Sequence, residues 1–215
     1  MRICLLMACL LPVPLLAGEI IAKAPDSVDA DTRYLFYLHG QIVEDVGLRP
    51  THPRWGLYDY PLILEALAQD GITVISERRP QGTNHNEYAT KIKKQVQRLL
   101  KAGANSAHIT VMGFSAGGMI TTRVSDKSAG LNINFIIMAS CSGWLDNSPE
   151  LTLHGTVLSV YEKSDGPQSC TDLAARKPGP ESFDEVMIDT GKEHGAFYLP
   201  RDTWLAPVLE WVRSR

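Results

Sequence analysis

From residue 34 onward, short continuous apolar runs alternate with stretches in which apolar residues return every three or four positions. The first pattern predicts strands buried on both faces, and the second predicts amphipathic helices. Strands are expected at 34–38, 72–76, the run that ends at Gly113, 134–139, 156–161 and 185–189. Helices are expected from Asp59 to about Gly71, from Asn84 or Asn86 to Gly103, from about 118 to 124, and from about 202 to 212. Pro61 suits a first helical turn and Gly103 a helix end, while Tyr88, Ile92, Val96, Leu99 and Leu100 recur at helical spacing. This alternation, without internal repeats, predicts one α/β domain over residues 25–215: a three-layer sandwich around a mostly parallel sheet of about six strands. Residues 19–32 are polar, with Pro25 and three aspartates, and read as an exposed lead-in. Residues 41–58, rich in proline, glycine and aromatics, read as a long ordered loop beside a strand's carboxyl end, a place suited to shaping a pocket.

The beginning of the chain breaks the pattern. Arg2 precedes an apolar run from Ile3 to Leu16, followed by the small residues Ala17 and Gly18, which is the layout of a secretory signal peptide over residues 1–17. The run is too short to cross a bilayer comfortably, so no stable membrane span is expected after cleavage, and a periplasmic or secreted protein is. Cleavage removes Cys4 and Cys9, and loss of Arg2 takes the formal charge from -3 to -4. Cys141 and Cys170 remain, and an oxidising compartment makes a disulfide between them the simplest expectation. A negative chain without a basic patch argues against a nucleic-acid partner.

Candidate chemistry centres on residues 113–117, Gly-Phe-Ser-Ala-Gly, which follow the β-branched run Ile109-Thr110-Val111 and precede a helical stretch. Strand, sharp turn and helix with serine at the turn is the nucleophile elbow, whose flanking glycines leave room where side chains would collide. In a parallel sheet the carboxyl ends of the strands share one edge. The other strands bring His39 to Gln41, Cys141 to Trp144, Glu162 to Asp165 and Gly191 to His194 there. Serine attack on a carbonyl needs a base, histidine titrates in the right range, and a carboxylate on the far ring nitrogen fixes the tautomer. The catalytic expectation is therefore Ser115, Asp165 and His194, with Glu162, Asp146 and Asp189 as alternatives for the acid. His39 is assigned a structural role beneath the oxyanion site. The oxyanion hole is expected from the backbone N–H groups of Gln41 and Ala116. Trp55, Tyr58, Trp144, Phe197 and Tyr198 are candidate pocket walls. No metal-ligand spacing or dinucleotide fingerprint stands out, so no metal or cofactor is expected.

On His39-Gly40, Gly113 to Gly118, Asp165 and Glu193-His194-Gly195, the sequence resembles the α/β-hydrolase superfamily, with an elbow similar to those of the carboxylesterase, acyl-protein thioesterase and dienelactone-hydrolase branches. The resemblance implies a compact hydrolase acting on small-molecule esters or thioesters without a cofactor. The first two strands of the full fold are not evident, and the segment near 143–155 is too short for a cap domain. A peptidase with the same three residues and a non-catalytic binding protein on the same fold remain the alternatives. If the strands preceding Cys141 and Cys170 are neighbours, their disulfide closes a segment that contains Asp165.

Overall fold

The computed structural model describes residues 18–215, so the signal-peptide expectation for 1–17 lies outside the described residues. In chain order the strands are β1 (Ile20–Ile21), β2 (Tyr34–Leu38), β3 (Thr51–His52), β4 (Gly56–Leu57), β5 (Thr73–Ile75), β6 (Ile109–Phe114), β7 (Asn134–Met138), β8 (Thr156–Glu162) and β9 (Ser182–Ile188). The helices are α1 (Gln41–Asp45), α2 (Tyr60–Leu67), α3 (His85–Ala102), α4 (Ala116–Asp126), α5 (Thr171–Ala174) and α6 (Asp202–Arg213).

Seven strands form one sheet in the order β1-β5-β2-β6-β7-β8-β9, and every neighbouring pair is parallel. Parallel neighbours require crossovers, and helices supply them on both faces. The apolar runs of β2, β6 and β7 are buried throughout because each face meets helices. Alternation divides them between two cores. Leu35 and Tyr37 join Met112, Phe114, Ile136 and Met138 against α2 and α6. Tyr34, Phe36 and Leu38 join Val111, Phe135 and Ile137 against α3 and α4.

Local signals set the helix boundaries. Asp59 caps α2 by accepting from Leu62 N–H at 3.1 Å. Asn84, not Asn86, caps α3, accepting from Asn86 N–H at 2.9 Å and Glu87 N–H at 3.1 Å. Gly103 ends that helix at φ 103°, a left-handed conformation that favours glycine.

The sheet has one strand more than the periodicity predicts. Ile20 and Ile21 pair with Val74 and Ile75, so the lead-in read as exposed begins as an edge strand. Two residues are too few to carry a period. Further along, Ala24 is buried and its N–H donates to Gln95 Oε1 at 2.8 Å. The expected loop 41–58 also holds structure: α1, then the antiparallel hairpin of β3 and β4. At the opposite edge, β9 has a neighbour on one side only among the described residues. Its Asp184 accepts from Trp211 Nε1 at 3.1 Å, and its Glu185 accepts from Cys170 N–H at 2.8 Å.

A disulfide joins Cys141, just beyond β7, to Cys170, just before α5, with Cα atoms 5.1 Å apart. Because β7 and β8 are neighbours, their trailing loops share the carboxyl edge. The bridge closes a sequence separation of 29 residues that includes Asp165. Chain entropy alone gives such a closure about 3 to 4 kcal/mol of stabilisation, less any native strain. The connection from β7 to β8 otherwise carries only a 3-10 turn at Gly143–Asn147. Among the described residues no helix is long and apolar enough to cross a membrane.

Candidate active site

Strand β6 runs through the middle of the sheet and delivers Ser115 to its carboxyl edge at φ 55°, ψ -120°. A non-glycine residue in that region stores about 1 to 3 kcal/mol of strain. Close backbone packing imposes it. A Cβ on Gly113 would lie 2.2 Å from Gly117 O, and one on Gly117 would lie 1.9 Å from Leu38 O. Strand, turn and helix therefore meet backbone to backbone. Ser115 N–H donates to Met138 O at 2.9 Å, and Ser115 O accepts from Ser140 Oγ at 3.0 Å. With the backbone held from both sides, the half-buried hydroxyl projects at the start of α4.

His194 arrives on the 3-10 turn Glu193–Phe197 that follows β9. Its Nδ1 lies 2.6 Å from Asp165 Oδ2, and both side chains are largely buried. The imidazole sits between two aromatic rings, with centroid separations of 4.7 Å to Phe114 and 5.2 Å to Trp55. Ser115, His194 and Gln41 line one cleft of about 380 Å³, with Ile42, Trp55 and Tyr198 among its walls. Asp165 also acts on that wall: burial first, and then the Asp165 charge, raises the Tyr198 pKa to about 12. A histidine oriented by a carboxylate and facing a hydroxyl across a cleft is equipped for general-base chemistry. In this resting geometry the Ser115 hydroxyl makes no hydrogen bond among the described residues.

Gln41 and Ala116 are the first residues of α1 and α4, positions whose N–H groups have no partner within the helix. His39 and Gly40 hold the end of β2 below them. His39 Nδ1 lies 2.9 Å from Gly40 O, and Nε2 accepts from Arg79 N–H at 2.9 Å. This pairing makes Nδ1 the protonated nitrogen of a neutral ring. Burial, and then the Arg79 charge, lowers the His39 pKa to about 3. Arg79 is itself buried: Nε pairs with Glu44 Oε2 at 3.1 Å and Nη2 donates to His39 O at 2.6 Å. Glu44 belongs to α1, so the ion pair ties that helix to the end of β2.

A pH dependence of stability follows. Between about 6.5 and 3, the unfolded chain holds a proton on residue 39 that the folded chain does not. The contribution is fully present above 6.5 and is lost as the pH falls from there toward 3. Urea midpoints should fall continuously from pH 7 to pH 4, and His39→Asn, less stable at pH 7, should lose the larger part of that slope. A flat wild-type midpoint from pH 7 to 5 would exclude a buried neutral His39.

The Phospholipase/Carboxylesterase family matches residues 72–162, a span that contains the elbow but neither Asp165 nor His194. No curated protein matches the chain. Among solved structures, the carboxylesterase from Mesorhizobium loti is 20% identical, with TM-score 0.58, over 85% of this chain and 89% of that one. Arabidopsis thaliana SOBER1 is 10% identical, with TM-score 0.55, over 86% of this chain and 99% of that one. A thermostable esterase is 15% identical, with TM-score 0.52 over 89% of this chain, which spans only 57% of that protein. The chain has an α/β-hydrolase-like fold, and within it residues 72–162 are similar to the phospholipases and carboxylesterases.

The other candidate acids are occupied elsewhere. Glu162, at the end of β8, is fully buried and accepts from Ser164 N–H at 2.6 Å, Thr190 N–H at 2.8 Å and Gly191 N–H at 3.0 Å, as well as from the Ser164 hydroxyl. Burial pulls its pKa up, but the hydrogen bonds from Ser164, Thr190 and Gly191 outweigh burial and hold the carboxyl below the usual range. Glu162 thus clasps the loop carrying Asp165 to the loop carrying His194. Asp189 pairs with Lys163 at 2.6 Å on the surface, and Asp146 lies in the 3-10 turn after β7.

The expected pocket walls separate into two groups. Trp55 and Tyr198 line the Ser115 cleft. Tyr58 and Phe197 do not: both are fully buried in the core, Tyr58 hydrogen-bonded to the Tyr37 hydroxyl at 2.8 Å. Aromatic residues near a strand end serve packing as readily as lining, which is why composition misplaced them. Trp144 is half-buried, donates to Ser140 O at 2.6 Å and stacks under Arg123, away from the residues that wall this cleft.

Two features of the site were not anticipated. The β3–β4 hairpin presents Trp55 to His194, and Glu193 fastens it by accepting from Trp55 Nε1 at 3.0 Å and Arg54 Nη2 at 2.6 Å. Gly195 permits this contact, since its Cβ would lie 2.8 Å from Trp55 Cβ. Arg79 was the other omission. In sequence it sits in a polar break that gives no sign of burial.

Proposed function

We propose that the protein is an exported serine hydrolase that cleaves carboxylic esters or thioesters through an acyl-enzyme on Ser115. The observation that carries this reading is Ser115 at a strained strand-to-helix turn, sharing a cleft with a histidine whose Nδ1 is bonded to Asp165 at 2.6 Å. In the proposed reaction Ser115 Oγ attacks the carbonyl carbon while His194 Nε2 takes the hydroxyl proton. The oxyanion that forms accepts from the N–H groups of Gln41 and Ala116. His194 then gives its proton to the leaving alcohol or thiol as the carbonyl–leaving-group bond breaks. Water, deprotonated by His194, attacks the acyl-enzyme, and the proton returns to Ser115 as the acid leaves. Asp165 keeps the imidazole in the required tautomer and stabilises its charged form throughout.

Export is part of the same proposal: residues 1–17 have a signal-peptide layout, and the Cys141–Cys170 bridge suits an oxidising compartment. One experiment addresses both parts. A fluorophosphonate applied to a periplasmic extract should give an intact mass equal to the chain from Gly18 plus one phosphonyl group. A folded, oxidised protein that remains unlabelled would overturn the serine mechanism, and a mass retaining residues 1–17 would overturn the cleavage.

A further inference from the structure

A second cleft at the same edge shares Trp55 with the Ser115 cleft. It encloses about 310 Å³ and is walled chiefly by Arg54, Trp55, Lys192, Glu193, Gly195 and Arg201. Trp55 thereby places this cleft next to the Ser115 cleft. Three of its four charged side chains are basic, in a chain whose formal net charge is -3. The one acid, Glu193, is already engaged by Arg54 and by the Trp55 indole. Lys192 and Arg201 have no carboxylate partner among the described residues.

Arg201 is the more informative of the two. Its Nη1 is shut off from solvent and has no hydrogen-bond partner among the described residues. Its backbone is fixed at the start of α6, where its carbonyl accepts from Trp204 and Leu205 N–H at 3.1 and 2.9 Å. The residue as a whole is part-buried and lines the cleft, so the guanidinium meets it with its remaining N–H groups while Nη1 is left without the partner that buried polar groups ordinarily find. The planar guanidinium fork matches the paired oxygens of a carboxylate or phosphate, and Lys192 adds a second positive charge at the same cleft.

We infer that this cleft is an oxyanion subsite that takes a carboxylate or phosphate group. The group is either a remote substituent of the ester substrate or a free anion that tunes the neighbouring His194 loop. The first source rests on the proposed ester hydrolysis at Ser115; the binding itself does not.

The binding test removes catalysis. Inorganic phosphate and succinate are titrated by calorimetry at low ionic strength into Ser115→Ala protein, alone and combined with Arg201→Gln or Lys192→Gln. Binding of at least one probe is expected, weakened about tenfold or more by Arg201→Gln. If neither probe binds the Ser115→Ala protein, or if Arg201→Gln leaves the affinity unchanged, the subsite is overturned whatever Ser115 does in turnover.

Kinetics then separates the sources. p-Nitrophenyl half-esters of succinic to suberic acid are compared with neutral esters of equal length. A lower KM for a charged ester, with the preference collapsing in Arg201→Gln, assigns the anion to the substrate. A change in neutral-ester turnover on adding phosphate, absent in Arg201→Gln, assigns it to a free effector. Loss of all ester hydrolysis alongside retained anion binding would sink the serine-hydrolase proposal and leave the subsite standing.

Discussion

Ser115→Ala is expected to reduce hydrolysis of p-nitrophenyl butyrate by about 10⁵- to 10⁶-fold, while the protein folds as before. Removal of the nucleophile from a serine–histidine pair costs about as much as removal of the whole constellation, because the parts act as a unit. What survives is the residual catalysis of substrate binding and oxyanion donors. The stability side of the prediction is equally specific. The Ser115 hydroxyl makes no hydrogen bond among the described residues, so its loss should move stability by no more than about 0.5 kcal/mol. Ser115→Gly should go further and stabilise the protein by about 1 kcal/mol, because glycine occupies φ 55° without the strain that serine bears there. Turnover by Ser115→Ala equal to that of the wild type would remove Ser115 from the mechanism.

The second large effect is expected at Arg79, remote from the cleft surface. Arg79→Met should lower the unfolding free energy by about 3 to 5 kcal/mol, since it leaves the Glu44 carboxylate buried without its counter-charge. The two side chains are 0% and 1% exposed, so water cannot substitute for the lost partner. Glu44 Oε1 would retain only the N–H of Thr83, at 3.0 Å. Replacing both members, Arg79→Met with Glu44→Leu, should recover much of the loss, because a well-packed apolar pair avoids the desolvation of both charges. Urea denaturation of the two single variants and the double variant measures this directly. Activity should not recover in parallel. Arg79 Nη2 also donates to the His39 carbonyl, so the double variant keeps the backbone N–H bond to the His39 ring but loosens the end of β2 just before Gln41. A displacement of about 1 Å at such a position can cost on the order of 100-fold in rate. If the double variant regained both stability and full kcat, Arg79 would have no part in positioning the site.

These residues also show which parts of the molecule the amino-acid pattern discloses. β2, β6 and β7 are legible because a strand buried on both faces must be apolar throughout, and Asn84 and Gly103 mark the ends of α3 by their own local chemistry. Ser115 is legible because the elbow needs small residues at fixed offsets, and those offsets are written in the chain. The meeting of Asp165 with His194 follows once the strands are parallel and their carboxyl ends share an edge. Other features rest on contacts between distant segments. Arg79 and Glu44 lie 35 positions apart, and neither carries a local mark of burial. Glu162 looks like one more acid near a strand end until its donors, drawn from Ser164, Thr190 and Gly191, are assembled around it. Tyr58 and Phe197 have the composition of a pocket wall and the position of a core. β1 is two residues long, so only its pairing with β5 defines it.

The outer side of β9 has a consequence for how the molecule behaves in a crowd. A seven-residue strand with an unpaired flank is an invitation for another chain to add to the sheet. Asp184 and Glu185 stand at consecutive positions there, so their side chains leave on opposite faces. Each is held by groups of its own chain: Asp184 by Trp211 and Arg215, Glu185 by the backbone of Cys170 and the hydroxyls of Ser169 and Thr171. A newcomer would have to lie beside two carboxylates already hydrogen-bonded within this chain. An edge lined by engaged charges is a poor template for a further strand.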